Sequence, residues 1–128
     1  MNPLCQSEGV GLIPWSPLAR GVLAGSRKAG TVRSKTDTFG SSLYNQKTEE
    51  ADQKVIAVLE EVSRERGLPP AQIALAWLMH KPGMVAPIVG ASKPQHLEDA
   101  IASTTIKLSE TEIKRLEEPY IPHAIAGH

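Results

Sequence analysis

Two short apolar runs in this chain end in the same chemistry. Gly11-Leu-Ile-Pro-Trp-Ser-Pro-Leu-Ala-Arg-Gly21 and Val85-Ala-Pro-Ile-Val-Gly-Ala-Ser-Lys-Pro94 each pass from aliphatic residues into small residues, hydroxyls and a cation. A parallel strand that delivers a phosphate-binding loop has this composition, because open backbone N–H groups, a hydroxyl and a cationic side chain can converge on an anion. Together the two runs read as half of a nucleotide site. Single residues say less. Ser92 and Lys93 alone would be an ordinary helix cap, and only the preceding strand with Gly90 turns the reading toward phosphate. Trp15 and Trp77 alone would be core aromatics, and Trp77 has no context that changes this. His80, His123 and His128 form no ligand set with carboxylates at recognisable spacing, so no metal is expected, and His96 alone would be a surface residue.

Period and punctuation place the elements that must position these runs. Gly11 to Trp15 and Met84 to Val89 read as buried strands, each a brief aliphatic core bounded by turn residues. Residues 16 to about 47 show no sustained period and read as a long loop. From Thr48, residues Ala51, Val55, Val58, Leu59 and Val62 recur at helical spacing, with acids first, Arg64 and Arg66 last and Gly67 as the stop. Leu68-Pro-Pro opens a second helix, Ala71 to about His80, apolar nearly all round and hence packed on two sides. Two capping boxes follow: Ser92-Lys-Pro-Gln95 before a helix with Leu97, Ala100 and Ile101 on one face, and Ser109-Glu-Thr-Glu112 before a helix over Ile113 to Glu118. A short extended piece, Thr105 to Leu108, joins them, and the tail from Pro119 is irregular. Glu60, Glu61, Arg64, Glu65 and Arg66 read as a solvated helix face with i, i+4 pairing. The order strand, loop, helices, strand, loop, helix is a parallel pair with a crossover, an α/β arrangement. Two strands are too few for a sheet with both faces buried, so the sequence reads as a piece of something larger.

Composition narrows the function classes. A length of 128 residues, 41% hydrophobic and 22% charged, is one globular domain. Lysine plus arginine equals aspartate plus glutamate at 14 each, so no global field favours nucleic acid or an anionic membrane, and neither is expected as a partner. The single cysteine, Cys5, excludes an intramolecular disulfide and a cysteine-held metal, and reads as a buried or half-buried thiol in a reducing, cytoplasmic setting. No run is long and apolar enough to span a bilayer and the start is not that of a signal, so a soluble, unprocessed chain is expected.

Three strings occur in a meaningful order and spacing: Pro14-Trp-Ser-Pro-Leu-Ala-Arg-Gly21, Gln72-Ile-Ala-Leu-Ala-Trp-Leu78, and Pro87-Ile-Val-Gly-Ala-Ser92 with His96-Leu-Glu-Asp99. On these the chain resembles the aldo-keto reductases, NADPH-dependent oxidoreductases built on an eight-stranded (β/α) TIM barrel. The resemblance covers residues 1–128 as the C-terminal part of such a domain, the last two strand-helix units plus a C-terminal helix and tail. It implies that Trp15 lies against the nicotinamide ring, fixing which face delivers hydride. It implies that Ser16, Pro17, Leu18, Arg20 and Gly21 wrap the pyrophosphate, with Arg33 as a second clamp. Gly90, Ser92 and Lys93 would hold the adenosine 2′-phosphate at a helix N-terminus, and His96 and Asp99 would face adenine, which favours NADPH over NADH. Two positions depart from the family pattern. Ala100 stands where many members carry asparagine, and Gly25-Ser-Arg-Lys28 replaces a frequent Gly-Lys-Tyr.

The family's catalytic aspartate, tyrosine, lysine and histidine belong to earlier strands, so no catalytic residue is expected here. Neither Tyr44 nor Tyr120 stands in the context that perturbs a proton-donating tyrosine. The expected protein is the cofactor-binding part of an NADPH-dependent reductase of aldehydes or ketones, inactive alone, with a small carbonyl substrate only if the rest of the barrel is supplied. The alternatives are a non-catalytic nucleotide-binding or interaction module and a truncated gene product, the last suggested by Met1 just ahead of a strand. An open barrel segment exposes strand edges, and self-association through them is expected.

Overall fold

The computed structural model describes residues 1–25 and 49–122. Along them run α1 (Asn2–Ser7), a kinked 3-10 segment η1 (Ala19–Ala24), α2 (Glu49–Arg66), α3 (Pro70–Met79), α4 (Pro94–Ser103) and α5 (Glu110–Glu117). The core is helical. Leu59 and Val62 of α2, Ile73, Ala74 and Ala76 of α3, Leu108 and Leu116 form one buried cluster, with Leu18 and Leu23 of the first loop packed against it. Helix α3 meets α2, α4 and η1, as its all-round apolar surface requires.

The helix ends follow local rules. Gly67, at φ +63°, ends α2 in a Schellman turn: its N–H donates to Arg64 O and that of Leu68 to Ser63 O. Pro70 occupies the first position of α3, where no N–H is needed. Ser109 and Glu112 form the expected capping box of α5, with Ser109 N–H donating to Glu112 Oε2 at 2.7 Å and Glu112 N–H to Ser109 Oγ at 3.2 Å. The other box does not form. Lys93 precedes a proline and is held extended (φ −139°, ψ 148°), so it cannot begin a helix. Pro94 therefore takes the first helical position, the cap passes to Lys93, and Ser92 is left outside. Helix α4 also turns a different face inward: Asp99, Ala100 and Ser103 are covered, while Leu97 and Ile101 are exposed.

The expected strands are corrected to two isolated parallel bridges, Leu12 with Met84 and Trp15 with Ile88. Leu12 N–H donates to Gly83 O at 2.8 Å and Val85 N–H to Leu12 O at 3.0 Å. An even parallel ladder would next need the N–H groups of residues 14 and 87, and both are prolines. Ile88 N–H instead donates to Pro14 O at 2.8 Å, which inserts one extra residue on that side and shifts the register. Nor is the pair buried on both faces: Ile13, Trp15, Val85 and Ile88 are all more than half exposed. Among the described residues no strand is longer than a bridge. The loop expected from residue 16 is also corrected over Ala19–Ala24, where η1 forms. Residues 26 to about 47 of that loop, Thr48 at the expected start of the next helix, and residues 123–128 of the tail lie outside the described residues. Helix α1 was not legible in the sequence.

The charged face of α2 is not only a solvated stripe. Arg66 donates from Nε and Nη2 to both carboxylate oxygens of Glu112, at 2.5 and 2.6 Å, and from Nη2 to Lys107 O at 2.8 Å. Arg115 makes the same two-pronged contact with Glu65 at 2.7 and 2.9 Å. These pairs reach from α2 to α5; Lys54 with Glu50 is an i, i+4 pair, at 3.5 Å. The Arg66 guanidinium, followed by the Ser109 hydrogen bonds, lowers the Glu112 carboxyl from 4.5 to about 2. A lowered folded value contributes stability that is complete above the unfolded value, near 4.5, and is lost as pH falls toward 2. The full linkage is up to about 3 kcal/mol, and screening at the partly exposed Arg66 leaves about 1–2 kcal/mol. Urea midpoints followed from pH 6 to pH 2 should fall across that window, and Arg66→Ala should flatten much of the fall. An unchanged pH profile in the variant would refute the pairing as its source.

Candidate functional site

The bridge at Trp15 and Ile88 starts two loops from adjacent points, one running through Ser16–Gly21 and the other through Val89–Lys93 into α4. This is how two segments seventy-odd residues apart in sequence come to share one end of the fold.

The first loop is tightly wound and strained. Ser16, Ala19 and Arg20 have φ of 54°, 48° and 54°, a left-handed region that non-glycine residues enter at a cost of about 1 kcal/mol each, and Gly21 follows at 94°. The turns are closed by Ala19 N–H to Ser16 O and Gly21 N–H to Leu18 O, both 3.0 Å. Leu18 and Leu23 anchor the loop to the helical core, which supplies the opposing stabilisation. Strain of this kind, held by packing, is a feature of ligand-clamping loops. Its geometry turns Arg20 back so that its guanidinium lies 5.7 Å from the centre of the Trp15 indole, which is 61% exposed. Ser16, Pro17, Leu18, Arg20 and Gly21 are half-buried in this loop.

The second loop is open. Gly90, Ser92 and Lys93 are exposed, and a side chain at Gly90 would meet nothing within 4 Å. No side chain caps α4, whose N-cap position is the exposed Lys93, so its first N–H groups have no side-chain acceptor. Ser92 Oγ lies 3.4 Å from His96 Nδ1, joining the loop hydroxyl to the first turn. Asp99, one turn on, faces the core side. Gln72 Nε2 of α3 donates to Asp99 Oδ1 at 2.9 Å and Gln95 Nε2 to the same oxygen at 3.2 Å. Arg33 lies outside the described residues, as do Ser26, Arg27 and Lys28.

The structure thus joins the starts of the two loops at the Trp15–Ile88 bridge, sets Arg20 against the indole, and leaves the start of α4 without a side-chain cap. It adds Gln72, which the sequence showed only as the first residue of a family string, and turns Gln95, expected as a capping-box partner of Ser92, to Asp99 instead. The signal was a glutamine inside the otherwise apolar run Gln72-Ile-Ala-Leu-Ala-Trp-Leu78, since a polar group there must find a partner when buried. Trp77, expected as core, is partly buried against the cluster; its indole N–H donates to Glu117 Oε1 at 3.0 Å, and Lys81 sits 4.7 Å over the ring and pairs with the same carboxylate. Cys5 is half-buried, as expected. Among the described residues no helix is long and apolar enough to cross a membrane.

The chain matches the Aldo/keto reductase family over residues 1–121 and belongs to that family. A Schizosaccharomyces pombe protein provisionally called an aryl-alcohol dehydrogenase is 47% identical over 99% of this chain and 38% of its own length. Versiconal hemiacetal acetate reductase of Aspergillus parasiticus is 42% identical over 98% of this chain and 36% of its own length. A thermostable aldo-keto reductase crystallised with the inhibitor epalrestat superposes with a TM-score of 0.57 at 33% identity, over 92% of this chain and 32% of the other. The chain therefore spans about a third of the length of the curated relatives it matches, and the structural likeness is to a TIM-barrel family.

Strain in the first loop has a direct test. Ala19→Gly removes the left-handed penalty and should leave stability unchanged or raise it by up to about 1 kcal/mol, despite the added freedom of the unfolded chain. Ala57→Gly, at an exposed helical position in α2, should lower stability by about 1 kcal/mol. Thermal melts of the two variants side by side decide it; equal losses would mean that Ala19 is not strained.

Proposed function

We propose that this chain is the cofactor-cradling, C-terminal part of an NADPH-dependent aldo-keto reductase, corresponding to the last two strand-helix units of the barrel. The observation that supports this reading is the Trp15–Ile88 bridge, from which a strained, cation-bearing loop leaves on one strand and the segment leading to the uncapped start of α4 leaves on the other. The residues suit the group they would hold. The Trp15 face is a flat apolar platform for a nicotinamide ring. Ser16, Pro17, Leu18, Arg20 and Gly21 would wrap the pyrophosphate, with Arg33 from the following segment. Gly90 leaves room for close approach, and Ser92 with Lys93 offers a hydroxyl and an ammonium to the 2′-phosphate. Once bound, the dinucleotide would supply hydride for reduction of an aldehyde or ketone.

This chain's part is orientation and binding. The tetrad of aspartate, tyrosine, lysine and histidine is not among its residues in the family context, so turnover requires the rest of a barrel. The exposed row Ile13, Trp15, Val85 and Ile88 supports that need, and also supports self-association in its absence. A reducing, cytoplasmic setting fits the single free thiol.

Titrating the non-aggregated chain with NADPH while following tryptophan fluorescence tests the cradle. Saturable quenching is expected, and Lys93→Ala should weaken binding by about tenfold, the equivalent of one charge-assisted contact. NADH, lacking the 2′-phosphate, should bind more weakly and be insensitive to Lys93→Ala. No saturable quenching, or equal effects of Lys93→Ala on both nucleotides, would defeat the reading.

A further inference from the structure

We propose that Gln72 is a positioning residue for nucleotide-base recognition: from the buried helix α3 it fixes the Asp99 carboxylate so that one oxygen stays presented to an exocyclic amine. The inference rests on the cradle reading above and adds a residue to it. Gln72 is only 8% exposed, in a helix whose other buried members are Ile73, Ala74, Leu75 and Ala76. An amide in that position is costly unless satisfied, and the structure satisfies it with a bond of 2.9 Å from Nε2 to Asp99 Oδ1. The direction is fixed by chemistry, since an ionised carboxylate can only accept.

Gln95, one turn before Asp99 on α4, donates to the same Oδ1 at 3.2 Å. Two amides from different helices therefore hold one oxygen, and Oδ2 is the one left for a ligand. A carboxylate does not attract phosphate; the partner it suits is a donor, and of the donors at this end of the nucleotide, a ribose hydroxyl and the base amine, the assignment is to the amine, the group that a hypoxanthine analogue lacks. Ser92, Lys93 and the helix N-terminus take the opposite role, drawing negative charge a turn earlier. The loop and first two turns of α4 thus sort phosphate from base by charge, and Gln72 ties that sorting to the core through the α3–α4 contact.

The test compares NADPH with reduced nicotinamide hypoxanthine dinucleotide phosphate, in which a carbonyl replaces the base amine, on the full chain by the same fluorescence titration. Gln72→Met keeps the volume and removes the donor. It should weaken NADPH binding by about fivefold, about 1 kcal/mol, and leave the hypoxanthine analogue unchanged. In an Asp99→Ala background Gln72→Met should add no further loss, because it acts through Asp99. Should Gln72→Met fail to fold, Gln72→Asn, with the same amide one methylene shorter, carries the comparison. Equal weakening for both nucleotides, no weakening, or a further loss in the Asp99→Ala background would overturn the positioning role while Lys93→Ala still behaves as described. Absence of saturable binding by the unaltered chain would overturn the cradle reading and this assignment with it.

Discussion

Burial of helix α3 is the constraint on which the remaining structure depends. Ile73 is fully buried and its neighbours nearly so, each large aliphatic side chain contributing about 1.5–3 kcal/mol on removal from water. Because α3 is apolar on nearly every side, it can be covered only if α2, α4 and the first loop all close on it. That closure brings Leu18 and Leu23 onto the core, and so holds the left-handed turns at Ser16, Ala19 and Arg20 that an isolated peptide would not keep. The same closure places Asp99 against Gln72. The two loops of the candidate site are thus positioned by a helical core that they only border.

Ion pairing supplies the second layer. The bidentate contacts of Arg66 with Glu112 and of Arg115 with Glu65 tie α2 to α5 along their outer edge, while Trp77, Lys81 and Glu117 tie α3 to the end of α5. Glu112 serves twice, as the capping residue of α5 and as the acceptor for Arg66. Fixing the start of α5 and fixing its distance from α2 are therefore one event, which couples local helix formation to tertiary docking.

What could be read from the chain divides along a physical line. The spans of α2, α3 and α5 were legible because their causes are local: a 3.6-residue apolar period, Gly67 in a left-handed stop, Pro70 in a first turn, the Ser109–Glu112 box. Ser92 to Gln95 carries the same letters as a box and fails, because the competing rule that a residue before proline avoids the helical region decides the start of α4. The parallel sense of the paired segments was legible from the crossover. Their reduction to two bridges was not, since it depends on Pro14 and Pro87 falling opposite one another, a matter of register that only the folded chain sets. Likewise the acids and arginines of α2 show a charged face but not what lies across from it. The two loops of the candidate site were legible as composition, whereas the partners of Asp99 required knowing which face of α4 turns inward.

The two tryptophans sit in opposite circumstances, and this gives the molecule a built-in division of optical labour. Trp77 is pinned by a carboxylate and overlain by an ammonium at the seam of α3 and α5, so its emission reports whether the helical body is intact. Trp15, 61% exposed under a guanidinium at the start of the strained loop and bridged to Ile88, is the indole that water and a collisional quencher would reach, so its emission would report the loop end. A soluble collisional quencher, which reaches the exposed indole before the pinned one, would distinguish the two signals. Loss of the body and rearrangement of the loop can then be followed in one cuvette as separate events, without attaching a label to either.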